Sequence, residues 1–296
     1  MHISKFIFLF FIYGVLILLM IKSSGSYSSL PCIDIINSTC TNDLISKWNK
    51  NDIGHNSVFI SDLHLGSKHC KDKELLKFLQ EVRTKKLYLV GDIIDGWRLK
   101  KKWYWPDDHN RIIKQLIRIS KYAEVYWISG NHDEFLRTVP TINIGNIETH
   151  NRMVHVGVDE NKYLVVHGDM FDYLMRTKFG KRIMYIGDWG YDRLININYL
   201  LNKTRAFFGY KPWSLSKYLK RKAKIATNFI GEFEAEMVNY ARMKKYDGII
   251  CGHIHHAEIR QHDEIKYMND GDWCESCSAL IEDHEGNWFL KYYQPL

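Results

Sequence analysis

Leu87-Tyr88-Leu89-Val90-Gly91-Asp92-Ile93-Ile94-Asp95 runs four strand-forming residues straight into a glycine and two carboxylates. The same pattern recurs along the chain. Val58-Phe59-Ile60 leads into Ser61-Asp62-Leu63-His64, and Val125-Tyr126-Trp127-Ile128 into Gly130-Asn131-His132-Asp133. Tyr163-Leu164-Val165-Val166 leads into His167-Gly168-Asp169, and Gly248-Ile249-Ile250-Cys251 into Gly252-His253-Ile254-His255. Between the first two runs, Leu75, Leu76, Phe78, Leu79 and Val82 keep helical spacing; between the second and third, Ile112, Ile113, Leu116, Ile117 and Ser120 do the same. Strand, helix, strand, helix, strand predicts an α/β fold with an at least partly parallel sheet and right-handed crossovers. Polar motifs at the carboxyl ends of such strands lie where α/β sheets form their sites. The five motifs are therefore expected to converge.

What converges is carboxylate, imidazole and one amide: Asp62, His64, Asp92, Asn131, His167, His253 and His255. This set without thiolate suits divalent ions such as Mn²⁺, Fe²⁺, Co²⁺ or Zn²⁺ and disfavours a structural cysteine–zinc site. Asp62 and His64 are two apart, as are His253 and His255, so in extended backbone each pair projects to one side. With one bridging carboxylate, these ligands can hold two ions and leave positions for water and substrate. Two cations ~3.5–4 Å apart lower the pKa of a water between them and brace the attacking and leaving oxygens of phosphoryl transfer. Gly91, Gly130, Gly168 and Gly252 permit the tight turns that aim ligands from strand ends. Taken singly, Asp62/His64 reads as a capping or surface pair, Asn131 as a turn residue and His167 as a hydrogen-bonded core histidine. Five motifs in order, each after its own strand, outweigh those readings.

The 296 residues suffice for one large domain or two small ones, and 46% hydrophobic with 25% charged residues is the balance of a globular chain. The net charge of +7 is concentrated: residues 173–224 hold thirteen Lys/Arg against Asp188 and Asp192, which leaves the remainder slightly acidic. Such a segment suggests an anionic partner, whether phosphate, nucleic acid or anionic lipid. After Asp169 the strand rhythm stops, eleven aromatics fall between Tyr173 and Tyr218, and helical spacing returns at Phe229, Phe233, Met237 and Tyr240. This predicts a helical insertion, about 173–245, packed over the mouth of the site. Beyond His256, turn signals at Asn269-Asp270-Gly271 and Glu285-Gly286-Asn287 predict short strands of a second sheet layer. Six scattered cysteines do not form a disulfide framework, and the lone Cys274-x-x-Cys277 reads as ordinary thiols before a zinc or redox pair.

Residues 6–21 are sixteen residues without a charge, between Lys5 and Lys22. As a helix they would span about 24 Å at ~1.5 Å per residue, slightly short of a ~30 Å hydrocarbon core. Residues 1–26 are read as a membrane anchor ahead of a cleaved signal segment or an upstream extension, and 27–56, polar and without periodicity, as a linker. The domain then occupies 57–296.

The ordered set Asp62-x-His64, Gly91-Asp92-x-x-Asp95, Gly130-Asn131-His132-Asp133, His167 and Gly252-His253-x-His255 resembles the calcineurin-like metallophosphoesterase superfamily. The resemblance implies a four-layer α/β/β/α sandwich. It implies one metal on Asp62, His64, Asp92 and His255 and a second on Asp92, Asn131, His167 and His253, with Asp92 bridging. It also gives His132 the role of protonating the leaving oxygen or stabilising the transition state, with Asp95 orienting it and keeping it protonated. Gly96-Trp97 and Asp133-Glu134-Phe135 depart from the pattern of protein Ser/Thr phosphatases. The chain instead resembles the UDP-2,3-diacylglucosamine diphosphatase family, in its branch with Gly-Asn-His-Asp rather than an arginine at His132. That implies cleavage of a UDP-linked lipid sugar or similar phospho-lipid, a helical lid for acyl chains and the cytoplasmic face of the inner membrane. Mn²⁺ is the expected metal, an anionic lipid-linked phospho-substrate and the membrane surface are the expected partners, and no nucleic acid is expected. Lys217, Lys220, Lys222 and Lys224 are candidates to face phosphate or headgroups, or form a solvated helix face. Two other readings stay open: a phosphodiesterase or nuclease of the same superfamily, with the basic segment on nucleic acid, and a non-catalytic metal-binding module, disfavoured because all the ligand positions are filled.

Overall fold

The structure, a computed structural model, describes residues 54–138, 144–172 and 215–293, with the backbone alone over 215–227. The expected anchor at 1–26, residues 27–53 of the linker and residues 173–214 of the basic insertion lie outside the described residues. Among the described residues no helix is long and apolar enough to cross a membrane. The chain divides into two compact units: one runs to Gly168 and resumes at Ala241, and the other is Asp169–Tyr240.

In chain order the elements begin β1 (Ser57–Ile60), α1 (Asp72–Glu81), β2 (Lys86–Val90), α2 (Gly96–Lys101), α3 (Asp107–Ile119) and β3 (Glu124–Ile128). They continue β4 (Ile147–His150), β5 (Met153–Val156), β6 (Lys162–Val165), α4 (Leu215–Met243) and β7 (Gly248–Cys251). The last are β8 (Glu258–His262), β9 (Ile265–Asn269), β10 (Ser278–Glu282) and β11 (Trp288–Tyr292).

The first unit holds two sheets, with strand orders β11-β10-β1-β2-β3-β4 and β5-β6-β7-β9-β8. In the first, β1, β2, β3 and β4 are mutually parallel and β10 lies antiparallel against β1. In the second, β6, β7 and β9 are parallel. Parallel strands covered on both faces should be apolar throughout, and every residue of β1 is buried. Val58, Ile60, Leu87, Leu89, Val125 and Trp127 turn to α1 and α3, meeting Leu75, Leu79, Ile112 and Leu116. The alternate residues Phe59, Tyr88, Val90 and Ile128 turn to Tyr163, Val165, Ile250 and Met268 of the second sheet. Phe59 and Tyr88 stack with centroids 4.4 Å apart. Each such side chain contributes about 1.5–3 kcal/mol by leaving water.

The helices follow the apolar spacing read from the sequence. α1 has Asp72 and Glu74 in its first turn, where carboxylates favour the helix dipole, and stops where Val82 turns extended. α3 starts after Pro106, has Asp107 and Asp108 in its first turn, and ends at Ser120.

The fold is mixed α/β with two sheets, and three layers of the expected sandwich, helix, sheet and sheet, lie within the first unit. The five motifs are divided between the two sheets: three follow β1, β2 and β3, and two follow β6 and β7. One expectation needs correction: the strands after His256 do not all form a second layer, because β10 and β11 return to the first sheet. The cause is packing: all five residues of β10 are buried, so it needs an interior position and takes one beside β1. In the second unit Phe233 and Met237 of α4 are fully buried, and the Phe171 ring lies 5.3 Å from that of Tyr240.

Candidate metal centre

Each motif begins where its strand stops, and in the motifs after β1, β2 and β7 the backbone turns left-handed at the candidate ligands. Asp62, His64, Asp92, His253 and His255 have φ of 53°, 49°, 54°, 71° and 52°. Among the described residues, five of the nine non-glycine residues with positive φ are thus candidate ligands. The expectation that the two spaced pairs sit in extended backbone is therefore wrong. Left-handed backbone costs a side-chain-bearing residue roughly 1–2 kcal/mol, so the surroundings must hold it. They do so by backbone hydrogen bonds that carry the β1–β2 pairing past the strand ends: Asp62 N–H to Gly91 O at 3.0 Å, His64 N–H to Asp92 O at 2.9 Å, Leu65 N–H to Ile93 O at 2.9 Å. Such strain gathers at functional sites. Gly91 itself has φ +87°, and a Cβ there would strike the His167 ring. Gly130 is required for approach rather than for φ, since a Cβ would overlap Asp92 Oδ1.

Three groups of ligand-type atoms result among the described residues, the atoms of each lying within 4.8 Å of one another. Two are the candidate ligand clusters, Asp62, His64 and His255 in one and Asp92, His167 and His253 in the other; the third, His64, Asp95 and His132, shares His64 with the first. Asp92 Oδ2 stands between the two ligand clusters, 3.9 Å from His64 Nε2 and 3.3 Å from His167 Nε2. Asn131 joins the second cluster, its Oδ1 3.2 Å from His167 Nε2. The structure thus brings all seven expected ligands to one place.

Donor accounting shows which atoms the protein leaves for a cation. Asp62 Oδ2 accepts from the His253 N–H at 2.9 Å and lies 2.6 Å from Ser61 Oγ. Asp62 Oδ1 is buried without a hydrogen-bond partner, although His255 Nε2 lies 3.2 Å away and His64 Nε2 3.7 Å. Asp92 divides the same way: Oδ1 accepts from the His132 N–H at 2.8 Å, and Oδ2 faces the imidazoles. His167 Nδ1 is 2.8 Å from Val90 O, an acceptor only, so Nδ1 carries the proton and Nε2 presents its lone pair toward Asn131 and Asp92. Buried lone pairs facing one another fit divalent cations, which relieve the repulsion. In the electrostatics protons stand in for them: burial opposes a charged His64, yet Asp62, Asp95 and Asp92 hold its proton up to about 10. Burial also opposes ionisation of Asp62, but His255 and His64 pull it well below the usual carboxylate range.

His132 lies beside both clusters. Its Nδ1 is 2.9 Å from Asp95 Oδ1 and its Nε2 is 3.9 Å from Asp92 Oδ2. Asp95 also caps α2 through the Arg98 N–H and pairs with the Arg98 guanidinium at 3.2 Å. Burial works against its charge, but hydrogen bonds from His132, His64 and Arg98 N–H hold it below the usual range. The Trp97 ring covers His132 at 4.3 Å. Lys217, Lys220, Lys222 and Lys224 fall on the part of α4 described by backbone alone, so their side chains lie outside the described residues. Cys274 and Cys277 are not joined in a disulfide; Cys274 Sγ is 3.8 Å from Asp62 O, and burial pushes the Cys277 thiol up to about 11.

Sequence reasoning missed the residues that brace the ligands. Asp133 is fully buried and accepts from the Gly130 N–H, from Ile93 N–H at 3.0 Å and from Trp127 Nε1 at 3.0 Å, tying the second motif to the third. Burial and the neighbouring Asp92 charge raise it to about 6. Asp270 lies 2.6 Å from the Ser61 hydroxyl, and burial with the Asp62 charge pushes its carboxyl well up. Ser61 has one proton for two carboxylates. The hydroxyl thus ties the Asp270 turn to Asp62. Asp133 offered a signal, an acid closing a motif after a strand; Asp270 lay in a turn signal and offered none.

Comparison with known proteins places this geometry. The family model described as Calcineurin-like phosphoesterase matches residues 56–257, more than half of the chain. No curated protein matches the chain. A novel archaeal phosphodiesterase is 15% identical over 80% of this chain and 98% of its own, with a TM-score of 0.39. Vacuolar protein sorting 29 from Cryptosporidium parvum is 12% identical over 82% of this chain and 100% of its own, with a TM-score of 0.38. Vps29 from Entamoeba histolytica, complexed with zinc, is 14% identical over 80% and 97%, with a TM-score of 0.34.

Proposed function

This chain belongs to the calcineurin-like phosphoesterase family and is a hydrolase acting on phosphoester bonds, and from that premise we propose that it is a two-metal pyrophosphatase for a UDP-linked lipid sugar or a similar phospho-lipid. The observation that carries the two-metal part is Asp92 Oδ2, turned toward His64 on one side and His167 on the other while Oδ1 is occupied by the His132 N–H. Asp62, His64, Asp92 and His255 would hold one ion, and Asp92, Asn131, His167 and His253 the other. Oxygen and imidazole donors without thiolate suit Mn²⁺, Fe²⁺, Co²⁺ or Zn²⁺, and Mn²⁺ is the ion of this reading. Bound there, two divalent cations would supply the Lewis acidity that activates water and neutralises phosphoryl charge.

The chain's own groups do the rest. Asp95 fixes the His132 imidazole through Nδ1, so Nε2 is the atom available for the leaving oxygen. Asp133 and Asp270 hold the loops that keep the ligands aimed.

The substrate class is supported by the resemblance of residues 88–105, 130–135 and 167–172 to the UDP-2,3-diacylglucosamine diphosphatase family, and by the basic, aromatic segment 173–224. An anionic head with an apolar tail suits that composition. The test is hydrolysis of UDP-diacylglucosamine, CDP-lipid and bis-p-nitrophenyl phosphate with Mn²⁺, with products assigned by phosphorus NMR. Release of UMP from the UDP-lipid is expected. Hydrolysis of single-stranded DNA without cleavage of any nucleotide-lipid would instead establish the nuclease reading.

A further inference from the structure

Helix α2 and the turn after it, from Trp97 to Trp105, carry four cations, four aromatics and no acid. Trp97 is 45% exposed and Trp103 52%, the two most exposed indoles among the described residues. Leu99 is buried and pins the helix, while Lys100, Lys101 and Lys102 point to solvent. From the loop after β1, exposed Lys68 lays its Nζ over the Tyr104 ring at 5.7 Å, extending the cationic and aromatic surface across two loops. The inner edge of this surface is Trp97, packed on His132.

We infer that this surface docks on an anionic lipid bilayer, with the two indoles at headgroup depth and the lysines on lipid phosphates. Indole is the side chain that prefers the bilayer interface, since its ring is apolar and its N–H needs a polar neighbour. Clustered lysines beside it add attraction to an anionic leaflet. The sequence supplies an independent reason: residues 6–21 are an uncharged run joined to the domain by the polar stretch 27–56, which would bring a bilayer, not a nucleic acid, within reach. Docking through Trp97 and Trp103 brings His132 near the interface, where the head of an amphiphile stands. The inference rests on exposed residues and does not depend on which phosphoester is cleaved.

The test mixes the full chain with vesicles of phosphatidylcholine, with and without phosphatidylglycerol, carrying brominated acyl chains. Bromine quenches tryptophan within the bilayer, and the first tryptophan of the chain is Trp48, so residues 6–21 are silent. Wild type should show stronger, salt-sensitive quenching on the anionic vesicles. Each lysine near an anionic surface contributes roughly fivefold, so Lys100→Gln with Lys101→Gln and Lys102→Gln should weaken that gain by about 10²-fold. Trp103→Ala should lower the quenching amplitude. Unchanged hydrolysis of bis-p-nitrophenyl phosphate by the triple variant shows that it is folded; a wild type inactive on every ester leaves the vesicle result readable. Equal quenching of wild type and triple variant overturns the inference. So does loss of single-stranded DNA binding in the triple variant with vesicle binding intact, which would assign the surface to nucleic acid.

Discussion

Two buried groups of imidazole and carboxylate lie in the first unit, and they are built on opposite rules. At the candidate metal centre, Asp62 Oδ1 is buried without a hydrogen bond, and five ligand-bearing residues sit in left-handed backbone. In the second group, His155 on β5 lies between Tyr88 OH at 3.0 Å and Glu282 Oε2 at 3.0 Å. Glu282 also accepts from Asn56 Nδ2 and from Val158 N–H, both at 2.7 Å. Here every polar atom has its partner and the flanking strands are regular. A satisfied network specifies packing; an unsatisfied one, strained and closed around lone pairs, is completed by something from outside. Residue type alone does not separate the two, because both are histidine facing acid.

The comparison breaks hardest at Asp92. Asp92→Ala removes the one carboxylate that faces both clusters, so bound metal and hydrolysis should vanish together, and chelation of the wild type should reproduce the loss. Metal content by mass spectrometry alongside turnover checks this; an Asp92→Ala protein that keeps two equivalents of metal would show that the clusters do not share it. His132→Ala comes next. Metal content should stay near wild type while turnover falls by about 10²–10⁴, the range for a lost general acid. Unchanged turnover on a poor leaving group would remove His132 from the reaction.

The contrast also shows what could be read from the chain. The strands and the convergence of the candidate ligands were legible because each motif follows its own apolar run, as Val90 immediately precedes Gly91-Asp92 and Ile128 precedes Gly130-Asn131 with Ser129 between. Helices α1 and α3 were legible from apolar spacing alone. The split of the motifs between two sheets was not, because local periodicity says nothing about which strands pair across long separations. Neither was β10 beside β1, whose register joins Val58 to Ile281. Positive φ at Asp62 and His64 was invisible for a different reason. Asp tolerates that backbone better than most residues, but it is held here by long-range pairing such as His64 N–H with Asp92 O. Helix α2 was missed because it is only six residues long and is capped by an acid already assigned to the site.

Ser61→Ala sharpens the comparison from within the metal centre. It removes the hydroxyl between Asp62 and Asp270 and leaves all ligands in place. Loss of such a bracing group weakens metal affinity about 10- to 100-fold. Titration with Mn²⁺ should therefore need more metal to reach the same maximal turnover. A lower maximum at saturating metal would mean that Ser61 serves the chemistry and not the ligands.

The smallest effect belongs to the satisfied network, and it is a dependence on pH. Burial disfavours a charged Glu282, but hydrogen bonds from His155, Val158 N–H and Asn56 outweigh it and hold the carboxyl below its ordinary 4.5. A group whose folded pKa is depressed contributes stability that is complete above its unfolded pKa and is lost as pH falls through the folded one. Thermal stability of the apo protein should therefore drop below about pH 4.5 in part through Glu282. Glu282→Gln keeps the shape and removes the titration. It should cost about 1–3 kcal/mol at neutral pH, the worth of hydrogen bonds to a charged group, and shrink the gap to wild type as pH falls. Metal content and turnover should remain those of wild type, which is the point of the comparison: a buried acid facing histidine can be exchanged where the network closes on itself, and not where it waits for a cation. A Glu282→Gln protein that lost metal would place the two groups in one system.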